Sequence, residues 1–365
     1  MTSSPGNPMA YTYSSPVPPV SSTVYPVAGI LTTVYGLSEL PPNITEIACL
    51  WLLHPRLQTQ ACMAPLAAHT ITQWNERIRQ GKAGKKPKGL IAASFDARNH
   101  GSREVDKIAN EAWRQGNERH AIDMFSCYHG SALDTTLLLT HLPSYIHPSL
   151  PTSAAGSKPI LSTNIVLGIS LGGHTAWSLL LSDPRISAAV SIIGCPDYMS
   201  LMHDRARLSK IKAYTTSSPP GSKFFGSDAF PPALVDAVRA SDPAGLLSPF
   251  GSKMSANAQA GAEGGISLAE KRRLRSLFKE RLQGKSILLL SGGSDKMVPY
   301  RIFEPFLKYL KGAAAKGGFF EDGQFTIEDH VYAGVGHATT REMAGKAEEW
   351  ICDWLAGEVR REAKL

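Results

Sequence analysis

Short, continuously apolar runs recur along this chain, separated by longer segments with helical spacing. The runs are Glu46 to Leu53, Gly89 to Phe95, Asn164 to Gly168, Ala188 to Gly194 and Ser286 to Ser291. Apolar residues at both odd and even positions predict strands covered on both faces, as in a parallel sheet. Between them, Met63, Leu66, Ala67, Ile71, Trp74 and Ile78 carry a helical period over residues 63–80. Residues 104–142 read as mostly helical, with a helix from Ala121 to Leu142. Further helices are predicted at Phe303 to Leu310 and from Thr339 to about Glu358, and a last strand near Phe325 to Val331. Residues 22–35 read as a strand pair or one bent strand. Strands alternating with helices define an α/β fold: a mostly parallel central sheet with helices on both faces.

From about Pro196 to Lys285 the alternation stops. Short helical pieces and Ser/Pro/Gly-rich loops take its place. An insertion between two core strands predicts a lid over the sheet's C-terminal edge, where ligands bind in open α/β sheets. The predicted organisation is an uncharged, Ser/Pro-rich disordered arm (1–21), a core (22–195 and 286–358), a lid or cap (196–285) and a tail (359–365).

Composition narrows the class. The 365 residues are 43% hydrophobic and 19% charged, typical of a soluble globular chain. The net charge of +7 permits anionic partners. Its two basic clusters, Lys82 to Lys88 and Lys271 to Arg275, read either as solvated surface or as contacts for a phosphate-bearing substrate such as a coenzyme A thioester. No aromatic–basic stripe points to nucleic acid, and no apolar run is long enough to span a membrane. The five cysteines lack metal or redox spacing and predict reduced thiols in an intracellular protein. No cofactor and no metal are expected. The chain ends in Ala363-Lys364-Leu365, a conservative variant of the Ser-Lys-Leu peroxisomal address. A working address read by a peroxisomal import receptor, and a chance ending in a cytoplasmic protein, stand as the two readings.

The strand Asn164 to Gly168 runs into Gly168-Ile169-Ser170-Leu171-Gly172, and a helical run follows. Strand, tight G-x-S-x-G turn and helix form a nucleophile elbow, which lifts the serine clear of the sheet. A serine needs a base to take its proton, and the base needs an orienting acid. Asp295 follows the Ser286 to Ser291 strand, and His337 lies between the last strand and last helix. Ser170, Asp295 and His337 thus occur in the order expected after such an elbow, with Asp197 as rival acid. The backbone N–H of Leu171 is the first expected oxyanion donor. The second should come from His54-Pro55-Arg56; Pro55 has no N–H, so Arg56 is favoured over Leu57. His54 reads as a loop brace, and Asp96 with Arg98 as a structural turn pair. Met202, Phe224, Phe225, Phe230 and Phe250 read equally as an apolar acyl pocket or as a small lid core.

On these motifs, together with Gly292 to Pro299, Gly336-His337 and Asp96 to Gly101, the chain resembles the α/β-hydrolase superfamily over about residues 45–357, lid excepted. Pro55 departs from the pattern, because relatives usually carry Gly there. The resemblance implies hydrolysis of an ester, thioester or related acyl bond, as by a serine esterase or thioesterase, without naming the acyl group. A small-molecule ester or thioester with an apolar acyl part follows only if the lid apolars line a pocket. A peroxisomal acyl-CoA thioesterase is the sharper variant. A lyase, cyclase or receptor use of the fold is the alternative.

Overall fold

The computed structural model describes residues 6–14, 16–152, 156–248 and 267–362. Eight strands make one sheet: β1 (Ser22–Val27), β2 (Ile30–Tyr35), β3 (Glu46–Leu53), β4 (Gly89–Phe95), β5 (Ile160–Ile169), β6 (Ile186–Ile192), β7 (Ser286–Gly292) and β8 (Thr326–Tyr332). Their order is β1-β2-β4-β3-β5-β6-β7-β8. β1 and β2 pair antiparallel at one edge, and every pairing from β4 to β8 is parallel. The apolar runs explain why. In β3, Ile47, Cys49, Trp51 and Leu53 face one core cluster, while Ala48, Leu50 and Leu52 face the other. Both faces are therefore dry, as a parallel sheet requires.

In chain order the helices are α1 (Ala64–Arg79), α2 (His120–Ile146), α3 (Leu171–Ser182), α4 (Tyr198–Leu208), α5 (Lys212–Thr215), α6 (Pro232–Ser241), α7 (Pro243–Leu247), α8 (Leu268–Leu282), α9 (Tyr300–Ala314) and α10 (Arg341–Glu362). Leu66, Ile71 and Trp74 of α1 and Met343, Ala347 and Ile351 of α10 cover one face of the sheet. α2, α3 and α9 cover the other through Leu138, Leu142, Trp177, Leu180, Phe303 and Phe306. α4 to α8 occupy the predicted insertion.

Two expectations need correction. Residues 104–119 are not helical beyond short 3-10 turns at Ile108–Asn110 and Trp113–Gln115. Asn99 explains part of this: its Oδ1 accepts the N–H groups of Val105 and Asp106, replacing helical bonds with a side-chain cap. The N-terminal arm, expected to be disordered, is ordered over residues 6–14 and docks beside α10. Met9 is buried. The Tyr13 ring stacks 4.6 Å from His69, and its hydroxyl donates to Glu348 at 2.7 Å. An aromatic ring and a buried carboxylate partner supply what low charge and Ser/Pro content did not suggest.

Candidate functional site

β5 delivers Ser170 to the sheet's C-terminal rim, and α3 leaves immediately after it. Ser170 has φ 53° and ψ −112°, a conformation costly for a residue with a Cβ. The bend is held from both sides. Ser170 N–H donates to Ile192 O at 2.9 Å, and Ser170 O accepts from Gly173 N–H at 2.8 Å. The flanking glycines are steric necessities. A Cβ on Gly168 would sit 1.8 Å from Gly172 O, and one on Gly172 would sit 2.1 Å from Leu53 O.

The three residues singled out in the sequence converge. Ser170 Oγ lies 2.9 Å from His337 Nε2, and His337 Nδ1 lies 2.7 Å from Asp295 Oδ2. A carboxylate only accepts, so Nδ1–H donates to Asp295 and Nε2 is left to accept the Ser170 hydroxyl proton. Asp295 Oδ1 also accepts the N–H groups of Met297 at 2.8 Å and Val298 at 2.9 Å. Burial opposes ionisation of this carboxyl. The hydrogen bond and charge of His337, with the two N–H donors, outweigh burial and hold it below its ordinary value.

Asp197 is engaged elsewhere. It caps α4, accepting Ser200 N–H at 2.9 Å and Ser200 Oγ–H at 2.7 Å, and burial raises its carboxyl. His54 braces its loop: Nδ1–H donates to Pro55 O at 2.8 Å, and Nε2 accepts Ala97 N–H at 2.8 Å. Asp96 and Arg98 do not pair with each other. Asp96 gathers Gln60 N–H and Ser102, while Arg98 forks onto Asp134 at 2.9 and 3.0 Å.

Leu171 opens α3, so its N–H has no carbonyl one turn earlier in the helix. Pro55 to Gln58 form a turn closed by Gln58 N–H to Pro55 O at 3.3 Å, with Leu57 at φ 64°. Such a turn does not use the N–H of its second residue, here Arg56. The Gly172 contact with Leu53 O sets this loop against the start of α3.

The aromatics of the insertion pack on one another and join the buried cluster on one face of the sheet. Phe224–Phe225 and Phe225–Phe230 ring centroids lie 5.1 and 5.0 Å apart, and Met202, Phe224 and Phe230 are fully buried. Phe250 lies outside the described residues, as do Ala363, Lys364 and Leu365. The Lys82 to Lys88 loop enters β4 at its N-terminal end, on the opposite edge of the sheet from Ser170. There Lys88 is buried and donates to Thr163 Oγ1 at 2.8 Å. A cavity of about 350 Å³ opens instead between the loop after β3, the loop after β7 and α4, lined by Arg56, Arg205, Lys296 and Met297 among others. The sequence reading did not single out Arg205 or Lys296, because a lone basic residue on a helix or loop carries no spacing signal. Among the described residues, no group of acidic, His and Cys side chains could hold a metal ion, and no helix is long and apolar enough to cross a membrane.

Sheet order, elbow and rim placement define an α/β-hydrolase fold. TT1662 from Thermus thermophilus is similar with a TM-score of 0.53 at 18% identity, over 92% of this chain and 98% of that one. A puromycin-hydrolyzing peptidase of Mycobacterium tuberculosis gives 0.47 at 13% identity, over 92% and 40% of the two chains. A predicted CIB-like hydrolase from Thermoplasma acidophilum gives 0.40 at 10% identity, over 93% and 99%. No family model matches the sequence, and no curated protein matches it. The chain has the α/β-hydrolase fold.

Proposed function

We propose that this protein is a serine hydrolase that cleaves a carboxylic ester or thioester through an acyl-enzyme. The observation that carries the reading is the unbroken chain from Ser170 Oγ to His337 at 2.9 Å and on to Asp295 at 2.7 Å, on a strained elbow. His337 Nε2 takes the Ser170 proton as Oγ bonds to the acyl carbon. The oxyanion is met by the N–H groups of Leu171 and Arg56. As the carbon–oxygen or carbon–sulfur bond breaks, His337 gives the proton to the departing alcohol or thiol. Water, deprotonated by His337, then releases the acid and restores Ser170. Asp295 keeps His337 in the required tautomer throughout.

Labelling with a fluorophosphonate probe tests this reading. Wild type should be labelled at Ser170 and Ser170→Ala should not. Unlabelled wild type, or an equally labelled Ala variant, overturns it. A panel of p-nitrophenyl esters, acyl thioesters and aminoacyl anilides separates ester, thioester and peptide cleavage. Failure on all of them by a labelled enzyme would favour the lyase, cyclase or receptor alternative.

The peroxisomal thioesterase variant draws support from Ala363-Lys364-Leu365 alone, since the Lys82 to Lys88 loop lies at the far edge of the sheet. A fluorescent fusion with a free C-terminus should enter peroxisomes, and one that masks it should stay diffuse. Diffuse signal from both ends the proposal.

A further inference from the structure

The cavity above the rim is cationic in an unusual way. Arg56 and Arg205 both line it and both are half-buried. Neither forms an ion pair with a carboxylate among the described residues. Arg56 donates to Asn110 O. Arg205 donates to Met297 O at 3.1 Å and touches Met124 Sδ at 3.1 Å. Its third contact is His120 Nε2 at 3.3 Å. His120 Nδ1 faces Glu111 O at 2.9 Å, so Nδ1 carries the proton and the ring meets Arg205 as a neutral acceptor. The nearby carboxylates are committed or unpaired with them. Asp204 holds Arg207 and Arg301, and Asp295 holds His337; both also favour the charge of Arg205 through space, as Glu111 does that of Arg56. Lys296 and Arg114 add two exposed positive charges to the cavity wall.

Two guanidiniums drawn out of water beside one another, with carboxylates acting on them only through space, are unfavourable in the empty protein. Burial, then each other's charge, brings Arg56 down to about 10. An anion entering the cavity would offset the cost of burying both charges. The guanidinium fork is suited to carboxylate or phosphate oxygens.

The cavity also lies beside the candidate catalytic residues. Arg56 follows β3 and Met297 follows β7, with β5 and β6 between them in the sheet. At the usual strand spacing that is a span of about 14 Å. The cavity touches both loops; its wall includes Lys296 and Met297, directly after Asp295, but not Ser170, Asp295 or His337 themselves. Met297 also ties the two systems: its carbonyl accepts from Arg205 and its N–H donates to Asp295.

We propose that this cavity is an anion subsite, in which Arg56 and Arg205 hold a carboxylate or phosphate group carried by the substrate. Its link to bond cleavage rests on the serine-hydrolase reading; binding of the anion does not. Arg205 is the specificity-determining residue to vary, because Arg56 also belongs to the oxyanion loop.

Three measurements test the subsite. Wild type should turn over the mono-p-nitrophenyl ester of glutaric acid with kcat/KM about tenfold or more above p-nitrophenyl butyrate, the yield of a charge-assisted contact. The pair 4-acetoxybenzoate and phenyl acetate places the anion on the leaving group instead, so the favoured pair tells which side of the scissile bond enters the cavity. Arg205→Gln should bring the charged-to-neutral kcat/KM ratio down about tenfold, to near one, a ratio in which any loss common to both esters cancels. Independently, glutarate or inorganic phosphate should raise the Tm of Ser170→Ala protein, and adding Arg205→Gln should remove that rise. Equal use of charged and neutral esters by wild type, with no Tm rise from either anion, overturns the subsite. An anion-dependent Tm rise lost in Arg205→Gln, in a protein that cleaves no ester and takes no fluorophosphonate, upholds the subsite and overturns the hydrolase reading instead.

Discussion

At the scale of single residues, the site rests on geometry that few side chains could reproduce. Asp295→Asn keeps the shape of the acid but presents an amide to His337 Nδ1, favouring the wrong tautomer. Its kcat is expected to fall by about four orders of magnitude with little change in Tm. A steady-state assay beside a melting curve checks this, and a loss under tenfold would count against Asp295 as the orienting acid. Gly172→Ala acts differently. Its Cβ would meet Leu53 O at 2.1 Å, and neither backbone can give way without opening the elbow. Labelling by fluorophosphonate should vanish, and urea denaturation should report a loss of about 3 kcal/mol. These residues were legible in the sequence because their chemistry forces them into a motif. Arg205 was not. It stands near Asp295 only because α4 folds back over the rim, and nothing local in Asp204-Arg205-Ala206 encodes that return.

At the scale of elements, the buried strands were legible because a parallel strand must be apolar on both faces. The strand β8, with Glu328, Asp329 and His330 in its middle, was the least so. It is an edge strand, and its polar residues are partnered: Asp329 takes Lys311 at 2.7 Å and the Tyr300 hydroxyl at 2.6 Å, and Glu328 and His330 meet each other at 2.7 Å. The N-terminal arm also holds the backbone of Thr339, through contacts that its composition does not announce. Pro8 O accepts Thr339 N–H at 2.8 Å, and Thr12 Oγ1 donates to Thr339 O at 2.7 Å. Thr339 lies two residues beyond His337, so the arm clamps the loop that carries the base. Thr12→Val preserves shape and removes the hydroxyl. It should cost about 1 kcal/mol and lower kcat more than it raises KM, as His337 gains freedom. An unchanged urea midpoint and unchanged kcat would show that the clamp does not matter.

At the scale of the whole molecule, the open question is how the insertion is fastened to the core, and a buried carboxyl sits at that seam. Asp242, 2% exposed, lies between α6 and α7. It accepts the Tyr198 N–H at the start of α4, at 3.2 and 3.3 Å, and approaches the Tyr128 hydroxyl of α2 at 3.5 Å. Burial, and then the charge of Asp197, push its carboxyl well above the ordinary value. The sign of the consequence follows from linkage. Below pH 4 both folded and unfolded chains hold the Asp242 proton, and the group costs nothing. As pH rises past the unfolded value near 3.8, the unfolded chain releases its proton first, and stability drains away until the folded carboxyl ionises too. Asp242→Asn cannot ionise. Its stability relative to wild type should therefore climb as pH goes from 4 to 7, by up to roughly 1 kcal/mol per pH unit. Titrating groups away from the seam are common to both proteins and cancel in the difference, while Asp197, which feels Asp242's charge, shifts with it. Urea midpoints of the two proteins across that range measure it directly. A difference that stays flat would mean that the N–H donors at the seam already keep Asp242 ionised, and that the lid is fastened by a charge rather than by a neutral acid.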